Sequence, residues 1–177
     1  RAATRRRHSS TASGALSPLS GFMGKKDLNA VLKGMPLSNG LPWTIPVTLS
    51  ARTGQCANLA EGKEVALRAP DGAWVGVMTV EEIYGYDKTR EAQRVFGTED
   101  PAHPAVGYLL SDMGERLLGG PIVMLERTTP PFPAYHNEPR ATRALFRERG
   151  WKRIVAFQTR NPIHRAHEFI TKVALEI

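Results

Sequence analysis

The sequence predicts an α+β chain in two parts, a β-rich N-terminal domain followed by the start of a doubly wound α/β domain. Three observations carry this. Two alternating apolar runs, Lys63 to Ala69 and Ala73 to Val80, flank Pro70-Asp71-Gly72 and read as a β-hairpin. Four prolines between Thr128 and Pro139 exclude both a helix and a central strand, so a domain boundary falls there. Beyond it, a short apolar run, Ile154 to Phe157, lies between two helical patterns and ends in a polar turn.

Taken in order, the first element is a short helix at Lys26 to Leu32. Trp43 to Leu49 (WTIPVTL) is rich in β-branched residues and reads as a strand, and the hairpin follows. Lys88 to Phe96 reads as a helix with Asp87 capping its start and Gly97 ending it. Pro121 to Leu125 is a further strand, after Gly119-Gly120. Several strands with few, short helices suggest a small barrel or a β-rich α+β domain.

Past the proline-rich break, Pro139 suits the first turn of a helix and Gly150 the position just past its end. Ala141, Ala144 and Leu145 form its apolar stripe. Ile154 to Phe157 is expected to be a strand covered on both faces. Asn161 then suits an N-cap and Pro162 the first helical position. In the helix that follows, Phe169, Ile170, Val173, Ala174 and Ile177 recur at helical spacing. The expected division is a basic, unassigned terminus over 1–13, a β-rich domain over 14–127, a linker over 128–138 and the start of a second domain over 139–177.

The net charge of +7 raises the question of nucleic acid. Arg1, Arg5, Arg6 and Arg7 supply four of those charges before the first acid, Asp27, and the remaining +3 is ordinary for a protein that handles anions. The Arg- and Ser-rich opening also fits the end of an organellar transit peptide, or a terminus with no structure of its own. Cys56 is the one cysteine, so a disulfide-stapled fold is excluded and a reducing compartment, the cytoplasm, is expected. No apolar run approaches the roughly 20 residues that span a bilayer.

The chemistry is concentrated between Gln158 and Glu168, Q-T-R-N-P-I-H-R-A-H-E. A helix starting at Asn161 turns its free N–H groups and positive dipole end toward the crevice, which suits an anion. Gln158 and Arg160 add donors, and an arginine grips an oxyanion with two parallel hydrogen bonds. His164 and His167, three apart, share one face of the first turn and suit charge building on a phosphate. Plainer readings compete: polar surface for the histidines, and an ion-pair role for Arg160. A zinc site is a further candidate, but neither HExxH nor HxxEH is present and no cysteine is near.

The string resembles the QxRNPxHxxH signature of the ATP sulfurylases, nucleotidylyltransferases with an HxGH-like motif. Arg165-Ala166 before the second histidine looks like the bacterial and archaeal branch. Ser17 to Met23, Trp43 to Leu49, His103-Pro104, Gly119 to Met124 and Gly150 to Arg153 are similar to the family's N-terminal region. The resemblance therefore runs from about Gly14 to Ile177. It implies a PUA-like β-barrel domain and then the beginning of a catalytic domain, in an incomplete chain. It also implies a nucleotidyltransferase that joins ATP and sulfate into adenosine 5′-phosphosulfate and pyrophosphate, in sulfate assimilation or, reversed, in sulfur oxidation. Mg²⁺ would come with ATP, no metal is expected on the protein itself, and the complete enzyme would be a homo-oligomer.

By motif position, Gln158 and Arg160 would bind sulfate. Gln158, Thr159, Arg160, Asn161, His164 and His167 would bind ATP. Thr159, Arg160, Asn161, His164 and His167 would be catalytic. The family's second motif, a G-R-D-H-A-G-like segment, does not occur in these 177 residues, which alone are expected to be inactive. Three other readings stand beside this one: an adenylyltransferase acting on a nicotinamide or pantetheine nucleotide, an RNA-binding PUA-like module, and a non-catalytic remnant. Adenylyltransferases of that other kind usually carry the histidine motif near the N-terminus, and no interleaved aromatics support RNA.

Overall fold

The computed structural model describes residues 14–125 and 132–176. The basic terminus 1–13 and the first part of the expected linker, 128–131, lie outside the described residues. The chain divides into two compact units between Pro139 and Arg140. Among the described residues, no helix is long and apolar enough to cross a membrane.

The first unit is organised around one strand. Six strands, β1 (Gly21–Phe22), β2 (Leu49–Ala51), β3 (Glu64–Arg68), β4 (Trp74–Thr79), β5 (Glu82–Gly85) and β6 (Arg116–Met124), make an open antiparallel sheet. β6 pairs with four of the others. Its first half lies between β2 and β5, with Leu118 opposite Leu49 and Ile83. Its second half lies between β1 and β4, with Pro121 opposite Gly21 and Ile122 opposite Met78. The two halves meet at Gly119-Gly120.

At that point Thr79, Val80 and Glu81 oppose only Gly120 and Pro121, so β4 and β5 are one path broken by a bulge. Glu81 N–H donates to Gly119 O at 2.9 Å across it. Gly120 takes φ +145°, and a Cβ there would sit 2.0 Å from Thr79 O. Only glycine meets both demands.

The hairpin forms as the sequence predicts. β3 pairs β4, Ala69 N–H donates to Ala73 O at 2.8 Å, and Gly72 turns the corner at φ +92°. The expected strand Trp43 to Leu49 is corrected. The strand is Leu49–Ala51, and residues 43–48 lack a ladder. Pro46 has no N–H to give to one. Single bonds hold that stretch instead, Trp43 N–H to Met35 O at 2.6 Å and Met23 N–H to Val47 O at 2.9 Å.

Three helices cover the sheet unit, besides one short turn of helix, α2 (Thr53–Cys56). α1 (Lys25–Gly34) buries Leu28, Val31 and Leu32, spaced at i, i+3 and i+4. Its first N–H, on Lys25, is met by the Glu82 carboxylate of β5 at 2.7 Å. α3 (Lys88–Phe96) has the predicted bounds: Asp87 Oδ1 accepts from Arg90 N–H at 2.9 Å and Gly97 ends it at φ +72°. α4 (Pro104–Ser111) opens on Pro104 and buries Val106 and Leu109. The main core gathers Phe22, Met23, Val31, Met78, Leu118 and Ile122.

A second core cluster holds Tyr84 with Leu28, Leu32 and Leu117. The Tyr84 hydroxyl donates to Met23 O at 2.6 Å. Burial, and then the carboxylates of Glu82, Glu91 and Asp27, push its phenol well above the ordinary value. Burial and Glu91 do the same to Tyr86, whose hydroxyl donates to Gly114 O at 3.0 Å. The folded state therefore holds protons that the unfolded chain gives up near pH ~10. The associated stability is full below that value and is lost as pH rises beyond it. The urea midpoint should fall above about pH 10. Tyr84→Phe should flatten that fall and, at neutral pH, lower stability by about 1 kcal/mol, read as a lower urea midpoint. A midpoint independent of pH across this range would show that the phenols do not control it.

Candidate active site

The second unit contains α5 (Pro139–Glu148), all but its first residue, and α6 (Arg165–Glu176). α5 begins on Pro139, and Gly150, at φ +64°, lets Trp151 N–H reach back to Phe146 O at 2.9 Å, the closure expected of a glycine-ended helix. Trp151 stacks on Phe146 with ring centroids 5.9 Å apart.

Two expectations are corrected here. Ile154 to Phe157 takes no part in a sheet, and Ile154, Val155 and Phe157 are exposed. A parallel strand exists only through its neighbours, and none of the described residues supplies one. The helix also starts later than Asn161. α6 begins at Arg165, with His164 as the residue before it, its carbonyl accepting from Glu168 N–H at 3.1 Å. Arg160 and Asn161 form a separate bend. Thr159 Oγ1 accepts from Asn161 N–H at 3.1 Å and donates to Asn161 O at 3.2 Å. A side chain that offers its own turn removes the cap the sequence assigned to Asn161.

The shift moves the histidines to the helix start itself. His164 is the capping position and His167 lies in the first turn. Their rings are 3.8 Å apart and inclined by 32°. The first-turn N–H groups, from Arg165 to His167, lie within the helix's positive end. Glu168, in the same turn, pairs with Lys172 at 2.6 Å.

Of the six residues singled out from the sequence, the structure joins His164 to His167 and Thr159 to Asn161. Gln158 and Arg160 are exposed, and among the described residues no hydrogen bond ties them to the other four. His167 is half-buried, and its Nδ1 is buried with no hydrogen-bond partner. Phe157 stands against it, ring centroids 5.3 Å apart at 59°. Sequence reasoning took Phe157 for a strand residue. Its place immediately before Gln158 was the signal that it belongs to the site. Among the described residues, no three His, Cys, Asp or Glu side chains gather as a metal site. Along α6, Phe169, Ile170 and Val173 form an exposed apolar stripe.

The sulfate adenylyltransferase of Synechococcus sp. (strain JA-3-3Ab) is 52% identical to this chain over 165 residues, 93% of the chain and 42% of that protein. That of Acaryochloris marina (strain MBIC 11017) is 54% identical over 164 residues, 92% of the chain and 42% of that protein. The chain thus spans well under half the length of these relatives. A solved structure, the hexameric APS kinase from Thiobacillus denitrificans, matches with a TM-score of 0.67 at 30% identity. That match covers 98% of this chain and 30% of that one. The ATP-sulfurylase family matches residues 133–177, around the paired histidines. The PUA-like domain family matches residues 5–127, more than half of the sequence, and the chain belongs to that family, continuing into an ATP-sulfurylase segment.

Proposed function

We propose that this chain is the N-terminal part of a sulfate adenylyltransferase, which converts ATP and sulfate into adenosine 5′-phosphosulfate and pyrophosphate. The observation that carries this is the pair of imidazoles, 3.8 Å apart at a helix start, within the segment that matches the ATP-sulfurylase family. A sulfate oxygen attacks the α-phosphorus and the bond to pyrophosphate breaks, with no covalent enzyme intermediate. Sulfate is a weak nucleophile, so the rate comes from positioning and from stabilising charge. Arg160 and Gln158 hold sulfate, and Gln158, Thr159, Arg160 and Asn161 line the phosphates. Thr159, Arg160 and Asn161 orient the reacting groups while His164 and His167 donate to the transferring phosphoryl oxygens. Mg²⁺ arrives on ATP as part of the substrate.

The reading extends to setting. An enzyme that draws on ATP and carries one unpaired cysteine, Cys56, suits the cytoplasm. The exposed stripe of α6 and the likeness to a protein described as hexameric support a homo-oligomer for the whole enzyme.

The direct test is transfer of labelled sulfate into adenosine 5′-phosphosulfate by a chain of the relatives' full length, with matching pyrophosphate. Failure of both products to form would end the proposal. Arg160→Lys probes the sulfate contact. It keeps the charge and loses the paired donors, so kcat/KM for sulfate should fall about tenfold or more. An unchanged sulfate dependence would assign Arg160 another task.

A further inference from the structure

One polar atom of this site has no partner: His167 Nδ1 is buried, and no donor or acceptor reaches it. Two rings lie against this imidazole, His164 at 3.8 Å and Phe157 at 5.3 Å. Nδ1 is also the ring nitrogen nearer the backbone, and the backbone here is the first turn of α6, whose N–H groups have no acceptor within the helix. Their positive end favours a lone pair beside it and opposes a hydrogen. A hydrogen on Nδ1 would therefore be buried, without an acceptor and in an unfavourable field.

We infer that Phe157 is a positioning residue whose ring, packed against His167, shuts water from Nδ1, keeps that nitrogen bare and leaves Nε2–H as the donor. With the tautomer set before substrate arrives, Nε2–H meets the developing phosphoryl charge without a proton first changing place on the ring. That consequence for catalysis rests on the function proposed above. The tautomer does not.

The test is nitrogen NMR on ¹⁵N-histidine-labelled 177-residue chain, in mildly alkaline buffer where free histidine is neutral. His167 is assigned by the signal lost in His167→Gln. The expected pattern is a pyridine-type Nδ1 and a pyrrole-type Nε2. In Phe157→Ala, water reaches Nδ1 and both signals move toward averaged positions, while Phe157→Tyr keeps the fixed pattern. In a chain of the relatives' full length, Phe157→Ala should lower kcat about tenfold, less than the hundredfold a 1 Å misplacement can cost, with KM for ATP little changed. Phe157→Tyr should restore most of that loss.

A pyrrole-type Nδ1 in the parent chain, or a pattern that Phe157→Ala leaves unmoved, overturns the assignment. The two readings fail separately. Fixed nitrogen signals in a protein that makes no adenosine 5′-phosphosulfate remove the function and keep the tautomer. Averaged signals in an active enzyme remove the tautomer and keep the function.

Discussion

His167→Ala, made in a chain of the relatives' full length, is expected to lower kcat by about 10²–10³ while KM for ATP changes little. His164→Ala should do the same. The two rings lie 3.8 Å apart at the start of α6, where the helix's positive end already favours ground-state phosphate. Under the proposed function, what the imidazoles would add is hydrogen bonding to oxygens that gain charge only as the α-phosphorus is attacked. Loss of such a donor appears in kcat and leaves substrate affinity nearly intact. Since the rings touch, the double variant should lose less than the product of the single losses. Steady-state rates of pyrophosphate release decide it. Parental turnover in either single variant would show that these histidines take no part in the chemistry.

Gly120→Ala should unfold the N-terminal unit at a much lower temperature than the parent chain. Two penalties coincide at this position. The backbone, at φ +145°, is in a region that costs a non-glycine residue about 1–3 kcal/mol. The new methyl would also stand 2.0 Å from Thr79 O, with Glu81 N at 3.1 Å behind it, and both are backbone atoms of the bulge. Relief therefore requires β6 to move away from β4 and β5. A total loss of about 3 kcal/mol or more corresponds to roughly 10 °C in Tm. Gly62→Ala is the control: Gly62 has φ +80° but nothing within 4 Å of a Cβ, so it carries the backbone cost alone. Equal melting temperatures by circular dichroism for the two variants would show that the close approach at Gly120 does not matter.

How far the fold could be read from the sequence follows from how local each signal was. α3 was legible to its ends because Asp87, Arg90 and Gly97 lie within the element they bound. The β3–β4 hairpin was legible because Pro70-Asp71-Gly72 makes its own turn. β1, β5 and α4 were not marked as elements. β1 and β5 are short, and each exists through its pairing with β6, far along the chain. The apolar run Ile154 to Phe157 was misread for the converse reason: it has the composition of a buried strand, but composition cannot provide the neighbour that makes one. At the site, the residue types and their spacing were readable. The helix start was not, because Thr159 offered Asn161 a competing turn that a count of preferred caps does not weigh. The contact of Phe157 with His167 was out of reach, since it depends on how the chain bends between them.

The central position of β6 has a consequence for how this protein is born. On the ribosome the chain emerges from its N-terminal end, so β1, β2, β4 and β5 all leave the exit tunnel before the strand that joins them. Until Arg116–Met124 is released, the hairpin, α1 and α3 are the pieces with local contacts enough to form. Main-chain groups on the early strands must wait, hydrated and unpaired, for a partner encoded far downstream. A pause in translation while Arg116–Met124 is still inside the tunnel would prolong that wait, and one placed farther downstream, after the strand has cleared the tunnel, would give it time to pair. The mRNA downstream of those codons thereby becomes part of the folding problem.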